Sequence, residues 1–206
     1  RMVGLKADVR DYQQVRAAYK EGVEELGLAT IVVANAGIGP GGTAVPQDTQ
    51  WDEVIGVNLT GVWHTGRATI EKMSKKGQGG SVIITSPTGG IMSPGVNDAG
   101  MLGYVSAKHG VIGLMRVWAN YCAPHFIRVN AVAPTTVQTP MAGGGSIEDI
   151  TKYAPHLLNS LTNAMPIEAV EASDIANAVA FLASDAARYI TGTTLPVDAG
   201  NVVRRS

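Results

Sequence analysis

The 206-residue sequence is poor in several features that would place it in other protein classes. It has a single cysteine, Cys122, which excludes an intrachain disulfide and a cysteine-cluster metal site and is typical of a reducing compartment. Sixteen Lys and Arg against seventeen Asp and Glu leave no basic excess, so we expect no nucleic-acid partner. No apolar run approaches the roughly 20 residues that cross a bilayer. We expect a cytoplasmic protein with neither a signal peptide nor a membrane partner.

What the sequence does contain is a sizeable apolar fraction and many glycines. Hydrophobic residues make up 45% and charged residues 16% of the chain, a balance that argues against intrinsic disorder. Glycine accounts for 25 residues, and these cluster where apolar runs end. Such clusters are typical of loops that expose their backbone to a ligand.

Apolar periodicity divides the chain into alternating strands and helices. We predict strands over 3–9, 29–34, 81–85, 128–132 and 193–197. We predict helices from Asp11 as N-cap to 26, over 48–76, over 103–121, over 147–163 with a break at Pro155, and over 174–183 with Ser173 as N-cap. This order predicts one α/β domain over residues 1–206, with a doubly wound parallel sheet between two helical layers.

Ligands of such folds bind beyond the carboxyl ends of the strands. Four segments are expected at this edge, namely Asp8, residues 35–37, residues 86–88 and residues 134–136. Residues 35–37 are small enough for a ribose or a base to lie against the backbone. The Asp8 carboxylate could accept a hydrogen bond from an adenine amine, although an Asp at a strand end is usually a turn residue.

The strongest chemical signal is the pair of Tyr104 and Lys108. Their i, i+4 spacing places both on one face of a helix. An ammonium beside a phenol favours the phenolate, so we expect Lys108 to lower the pKa of Tyr104 and make it a general acid/base. Taken alone, the same pair could be an ordinary surface contact.

A polar amide, Asn58, interrupts a helix that otherwise packs with apolar residues. Asn is a poor helix former because its side chain competes with the backbone for hydrogen bonds. Two explanations stay open: a hydrogen bond to a neighbouring strand, or a polar relay next to Tyr104 and Lys108.

Taken together, these motifs resemble the short-chain dehydrogenase/reductase family, in order and at the usual separations. The resemblance covers essentially the whole chain and rests on Asp8-Val9, residues 34–37, Asn58, Ser86, Tyr104-x-x-x-Lys108, residues 128–134 and residues 191–200. Residues 107–116 and Pro134-Thr135-Thr136-Val137 are more similar to the actinobacterial branch that is related to carveol dehydrogenase and linked to the redox cofactor mycofactocin.

The resemblance implies a Rossmann-like fold that binds a nicotinamide cofactor, NAD with NADP not excluded, and assigns catalytic roles. Tyr104 would exchange a proton with the substrate oxygen while hydride moves to or from the nicotinamide. Lys108 would hold the nicotinamide ribose, and Asn58 would carry a water of the proton relay. Ser86 is assigned to the catalytic set with these three.

The resemblance also implies where the cofactor would lie. Asp8 and Val9 would meet the adenine, and Asn35 and Gly37 the adenosine side. Thr136 and Val137 would meet the nicotinamide carboxamide. The remaining residues assigned to the cofactor are Ala36, Pro134 and Thr139.

Two departures from the family pattern stand out. The usual Ser-Ser pair falls on Ser86-Pro87, so the serine that polarises the carbonyl would be Pro87, which has no donor; Ser86 or Thr88 would have to replace it. The first βαβ unit, with its G-x-G-x-x-G phosphate loop, is absent. We therefore expect the native polypeptide to be longer at its N-terminus.

The substrate implied by the resemblance is a small apolar secondary alcohol or ketone. The assembly implied is a homotetramer built on helices 48–76 and 103–121, with a lid near Met141 and residues 143–145 and a possible mycofactocin-linked redox partner. We assign no metal to His64, His109, His125 or His156. Two alternatives stay open: a 3-oxoacyl reductase that uses NADPH, and a catalytically silent dinucleotide-binding protein.

Overall fold

Four strands form one parallel sheet, in the order in which they follow one another along the chain. They are β1 (Ile31–Ala34), β2 (Gly80–Thr85), β3 (Ile127–Pro134) and β4 (Thr194–Val197). The computed structural model describes residues 1–40, 47–92, 99–139, 141 and 162–205. Because every strand runs in the same direction, their carboxyl ends meet at one edge of the sheet. The predicted parallel α/β architecture is confirmed.

The described residues form the helices α1 (Tyr12–Leu26), α2 (Gln47–Ile55), α3 (Gly61–Lys76), α4 (Ala99–Cys122) and α5 (Ala172–Ala183). Helices α3 and α4 lie on one face of the sheet and α5 on the other, as the alternating pattern predicts, while α1 packs on α3 and α2 on α4. A π-helical turn over Gly56–Thr60 joins α2 to α3, so the helix predicted over 48–76 is one rod with a widened turn in its middle. Among the described residues, no helix combines the length and the apolar character that a bilayer span needs.

The two faces of the sheet are covered unequally. Strand residues alternate between the faces, and α3 and α4 cover the first face with a large buried cluster. Its members include Val82, Ile84, Val111, Met115 and Val129. Among the described residues, Ile83 and Val132 on the second face meet a small cluster around Leu182 of α5. Since each fully buried aliphatic side chain contributes roughly 1.5–3 kcal/mol, most of the apolar stabilisation in the described part of the chain comes from the α3/α4 face.

The strand predicted over residues 3–9 is wrong. In the structure these residues precede α1 without forming a β-bridge. A strand needs a neighbour to satisfy its backbone groups, and β1 pairs with β2 alone among the described strands. Residues 8–10 pack against the beginning of α3 instead. Ile31 and Val33 on β1 are consequently 49% and 44% exposed.

One further prediction needs correction, and another falls mostly outside the described residues. Ser173 does not cap α5: the N-cap is Glu171, and a capping box joins its carboxylate and that of Asp174 to each other's backbone N–H groups. The helix predicted over 147–163 lies outside the described residues except for Thr162 and Asn163, which are not helical. The glycines at 143–145 and Pro155 also lie outside the described residues.

Two glycines of the α3/α4 layer offer a matched test of this packing. A Cβ on Gly66 would lie 2.6 Å from Cζ2 of Trp118, whereas a Cβ on Gly113 of α4 would meet nothing within 4 Å. We expect Gly66→Ala to lower the free energy of unfolding by about 1–3 kcal/mol, because the rigid indole must move. Gly113→Ala should raise it by about 0.5–1 kcal/mol, because alanine has the higher helix propensity.

Chemical denaturation of both variants measures the difference directly. Equal stabilities for the two variants would contradict the close approach of α3 and α4 at Gly66.

Candidate active site

Tyr104 and Lys108 lie in the first half of α4, next to the carboxyl end of β2. The Lys108 side chain is buried, and Tyr104 is half-buried. The Lys108 ammonium donates a 3.4 Å hydrogen bond to the carbonyl of Thr85, the last residue of β2. It also lies 5.6 Å from the centre of the Tyr104 ring. The structure therefore brings the predicted pair together at the edge where the fold is expected to bind its ligand.

Burial controls the protonation of both groups. It raises the pKa of Tyr104 to about 12 and lowers the pKa of Lys108 to about 8. The expectation that the ammonium lowers the pKa of Tyr104 is therefore wrong for this structure, because desolvation of the phenolate outweighs the attraction of a cation 5.6 Å from the ring centre. At neutral pH Tyr104 is a neutral phenol and Lys108 is mostly an ammonium.

Asn58 occupies the centre of the π-helical turn and is completely buried. Its amide oxygen accepts a 2.9 Å hydrogen bond from the N–H of Ile38, and its amide nitrogen donates a 2.9 Å bond to the carbonyl of the same residue. The side chain thus fastens the loop after β1 to the helical rod. The wide turn, with the N–H of Gly61 bonded to the carbonyl of Gly56, is a feature that recurs at functional sites.

Asn58 and Lys108 share a space that is kept open by Gly37. A Cβ at position 37 would lie 3.0 Å from the Asn58 amide oxygen and 3.5 Å from the Lys108 ammonium. Any larger residue would therefore crowd both polar groups. This requirement explains the glycine that ends the predicted 35–37 motif.

Ser86 is completely buried and faces the backbone of α4. Its hydroxyl donates a 2.9 Å hydrogen bond to the carbonyl of Lys108, so it fixes the height of α4 over the end of β2. The next residue, Pro87, has no donor and precedes a short 3₁₀ turn over Thr88–Gly90. A Cβ on Gly89 would lie 3.7 Å from Cε1 of Tyr104, which places this turn against the Tyr104 ring.

A cleft of about 510 Å³ opens beside this site. Four of the residues predicted to bind the cofactor contribute to its wall, namely Asp8, Val9, Ala36 and Gly37. Asn35, which directly follows β1, is exposed and accepts a 2.8 Å hydrogen bond from the Thr85 hydroxyl, which links the ends of β1 and β2.

Sequence reasoning overlooked Arg10, which also lines this cleft. Its guanidinium donates hydrogen bonds of 2.7–3.0 Å to both carboxylate oxygens of Asp8. These bonds and the bond from the Arg10 N–H lower the pKa of Asp8 to about 2, so the carboxylate is ionised throughout the physiological range. The spacing Asp-x-Arg was the signal that could have revealed the pair.

The segment after β3 is fastened to a more distant part of the chain. Pro134 ends β3 and is buried, Thr136 and Val137 are half-buried, and Thr139 is exposed. The Thr136 carbonyl accepts a 3.0 Å bond from Val170, and the Thr135 hydroxyl donates a 2.9 Å bond to the buried side chain of Asn163. Asn163 escaped the sequence reasoning because it was placed at the end of a helix.

These features fit a nicotinamide dinucleotide. The Lys108 ammonium has three donors, and within the described part of the chain only one of them, the 3.4 Å bond to Thr85, has a partner. Two donors are left for ligand hydroxyls. Gly37 leaves room beside this ammonium, and Asp8 offers an ionised acceptor at the far side of the cleft.

Comparisons with known proteins agree with this geometry. The family model described as enoyl-(acyl carrier protein) reductase matches residues 1–201. An uncharacterised oxidoreductase of Mycobacterium tuberculosis is 48% identical over 99% of the chain and 74% of its own length. The (−)-trans-carveol dehydrogenase of Rhodococcus erythropolis is 40% identical over 97% of the chain and 74% of its own length.

Among solved structures, carveol dehydrogenase from Mycobacterium avium in complex with NAD superposes with a TM-score of 0.87 at 42% identity. The match covers 98% of this chain and 76% of that chain. The chain belongs to the short-chain dehydrogenase/reductase family of oxidoreductases.

Proposed function

We propose that the protein interconverts a small apolar secondary alcohol and its ketone with NAD as the hydride carrier. The observation that carries this proposal is the pair of half-buried Tyr104 and buried Lys108 beside an open cleft at the carboxyl edge of the sheet. Relatives named carveol dehydrogenase, one of them solved with NAD, support both the substrate class and the cofactor.

Residues of the cleft and of the neighbouring strand ends would hold the cofactor by its two ends. Asp8 and Val9 would bind the adenine, and Asn35, Ala36 and Gly37 would line the adenosine side. Lys108 would bind the nicotinamide ribose, while Pro134, Thr136, Val137 and Thr139 would surround the carboxamide. When bound, the nicotinamide supplies the hydride acceptor or donor of the reaction.

Tyr104 is proposed as the proton donor to the ketone oxygen. A phenol with a pKa of about 12 is fully protonated at neutral pH, so the acid needed for ketone reduction is always present. In alcohol oxidation Tyr104 must accept a proton, and the Lys108 ammonium is the nearby charge that would stabilise the phenolate. A water held near Asn58 would return the proton to solvent.

The ketone oxygen also needs a second hydrogen-bond donor. The Ser86 hydroxyl is already bonded to the Lys108 carbonyl, whereas Thr88 belongs to the turn that packs against the Tyr104 ring. We therefore assign the polarising role to Thr88 and a supporting role to Ser86.

Pro87 favours one rival, a dinucleotide-binding protein without catalytic activity, because it stands where the family carries its polarising serine. The other rival, a 3-oxoacyl reductase that uses NADPH, differs in cofactor preference. We further propose a cytoplasmic homotetramer that passes electrons to a mycofactocin-linked partner. The exposed apolar side chains that favour assembly lie on α2, α3 and α4 and are Trp51, Trp63, Val117 and Tyr121.

Tyr104→Phe tests the proton donor. Removing the phenolic hydroxyl should lower kcat for ketone reduction by roughly 10²–10⁴-fold and leave the dissociation constant for NADH within about twofold. Tyr121→Phe, on the exposed end of the same helix, serves as the control and should keep full activity. Unchanged kcat in Tyr104→Phe would contradict the proposed role.

Thr88→Val and Ser86→Ala separate the two hydroxyls. Thr88→Val should reduce kcat about 10- to 100-fold with little change in stability, because it removes one donor to the ketone oxygen. Ser86→Ala should instead lower the free energy of unfolding by about 1–2 kcal/mol, because the buried hydrogen bond to the Lys108 carbonyl is lost. The opposite pattern would assign the polarising role to Ser86.

Lys108→Met tests the cost of the buried charge. Since burial lowers the folded-state pKa of Lys108 from 10.5 to about 8, the folded ammonium costs roughly 3 kcal/mol below about pH 8. The lost hydrogen bond to Thr85 offsets about 1 kcal/mol of this cost. The free energy of unfolding of the variant should therefore exceed that of the wild type by about 2 kcal/mol near neutral pH.

The gain should shrink as the pH rises from about 8 to 10.5, because the folded wild-type protein then releases the proton that the unfolded chain still holds. Lys75→Met, a change at an exposed lysine of α3, should keep the free energy of unfolding within about 0.5 kcal/mol of the wild-type value. Thermal unfolding across this pH range measures both variants. A Lys108→Met protein less stable than wild type at every pH would contradict the assignment.

A further inference from the structure

Residues 8–10 belong to no strand, yet their backbone is held firmly against α3. The Nδ1 atom of His64 lies 2.9 Å from the carbonyl oxygen of Val9. Because a carbonyl only accepts, Nδ1 must carry the proton and donate it. The Val9 side chain also lies close to α3, since a Cβ on Gly61 would lie 2.6 Å from Cγ2 of Val9.

The His64 ring is itself held in place. It is only 8% exposed and lies between Tyr12 and Trp63, with ring centres 5.6 Å and 5.1 Å away. The guanidinium of Arg67 stacks on the Tyr12 ring at 4.0 Å from its centre. His64 therefore presents Nδ1 to Val9 in one orientation.

The Asp8 carboxylate is oriented by Arg10, its neighbour two positions on. Arg10 binds both of its oxygens through the side chain and one of them through its own N–H, at 2.9 Å. The stem of Arg10 lies over the π-helical turn, where a Cβ on Gly56 would be 3.4 Å from Cδ of Arg10. Three N–H groups of Arg10, the backbone N–H, Nε and Nη2, thus serve the four lone pairs of the two oxygens, which leaves one lone pair for a ligand in the cleft that Asp8 lines.

We infer that His64 and Arg10 are positioning residues that preset Asp8 and Val9 as an acceptor and a donor for the amino edge of adenine. The inference rests on the proposed function, which places the adenine of the cofactor in this cleft. Adenine offers a donor at its 6-amino group and an acceptor at N1. The Asp8 carboxylate and the Val9 N–H, which has no partner among the described residues, form the complementary pattern.

The same pattern rejects purines with a 6-oxo group. Hypoxanthine presents an acceptor at O6 and a donor at N1, so its oxygen would face the Asp8 carboxylate without a proton between them. The cleft should therefore prefer adenine to hypoxanthine only while Asp8 and Val9 keep their orientation.

The test compares binding of NAD and of its hypoxanthine analogue, nicotinamide hypoxanthine dinucleotide, by isothermal titration calorimetry. We expect the unaltered protein to bind NAD roughly tenfold more tightly than the hypoxanthine analogue, or more. His64→Leu and Arg10→Met should each reduce this ratio of the two dissociation constants to about threefold or less. His64→Asn should restore it, because its amide nitrogen can occupy the position of Nδ1.

His109→Leu is the matched control, since Nδ1 of His109 also bonds to a backbone carbonyl, at 3.0 Å, but on α4 and away from Asp8. The control should keep the ratio. Thermal unfolding identifies a His64→Leu protein that fails to fold, and Arg10→Met, at an exposed position, then carries the test.

A variant that weakens NAD and its analogue by the same factor would overturn the inference and leave the proposed function intact. No measurable NAD binding by the unaltered protein would instead overturn the proposed function, and the inference with it.

Discussion

The site depends on one buried ammonium, that of Lys108, placed at the carboxyl ends of parallel strands. Two contacts from the end of β2 hold it there: the Thr85 carbonyl accepts from Nζ, and the Ser86 hydroxyl donates to the Lys108 carbonyl. These contacts fix both the height and the rotation of α4. Tyr104, one turn earlier on the same helix, is placed by the same two bonds.

Burying the ammonium costs free energy of folding, because the charge is removed from water. Burial lowers the pKa of Lys108 to about 8 and raises that of Tyr104 to about 12. Both shifts favour the neutral form of the side chain. A bound ligand that offers hydroxyl groups to the ammonium would recover part of this cost.

Much of this architecture could be predicted from the sequence because the signals are local. The β-branched runs of β1 to β3 correctly predicted the parallel sheet, and the i, i+4 spacing of Tyr104 and Lys108 correctly predicted that the two side chains lie together. The strand over 3–9 failed because strand formation depends on a neighbour, which no local pattern reveals. Likewise, the pKa of Tyr104 depends on burial by distant segments, and spacing alone gave the wrong direction.

Roles that depend on three-dimensional contacts were also hidden. His64 had an ordinary structural role by default, and only the fold shows that its ring reaches the Val9 carbonyl 55 positions away. The hydroxyl of Ser86 could not be assigned from order alone, since only the packing of α4 reveals the Lys108 carbonyl as its partner. The family pattern indicated which segments to consider, while only the three-dimensional contacts show which atoms bond to one another.

Transfer of a labelled hydride tests the central claim most directly. The protein is incubated with NADH deuterated on the transferable face of C4 and with a small cyclic ketone such as carvone, and the products are examined by mass spectrometry and NMR. The account predicts an alcohol with one deuterium on its carbinol carbon for each NAD formed. An intact ketone beside bound, unoxidised NADH, across a panel of apolar ketones, would contradict it.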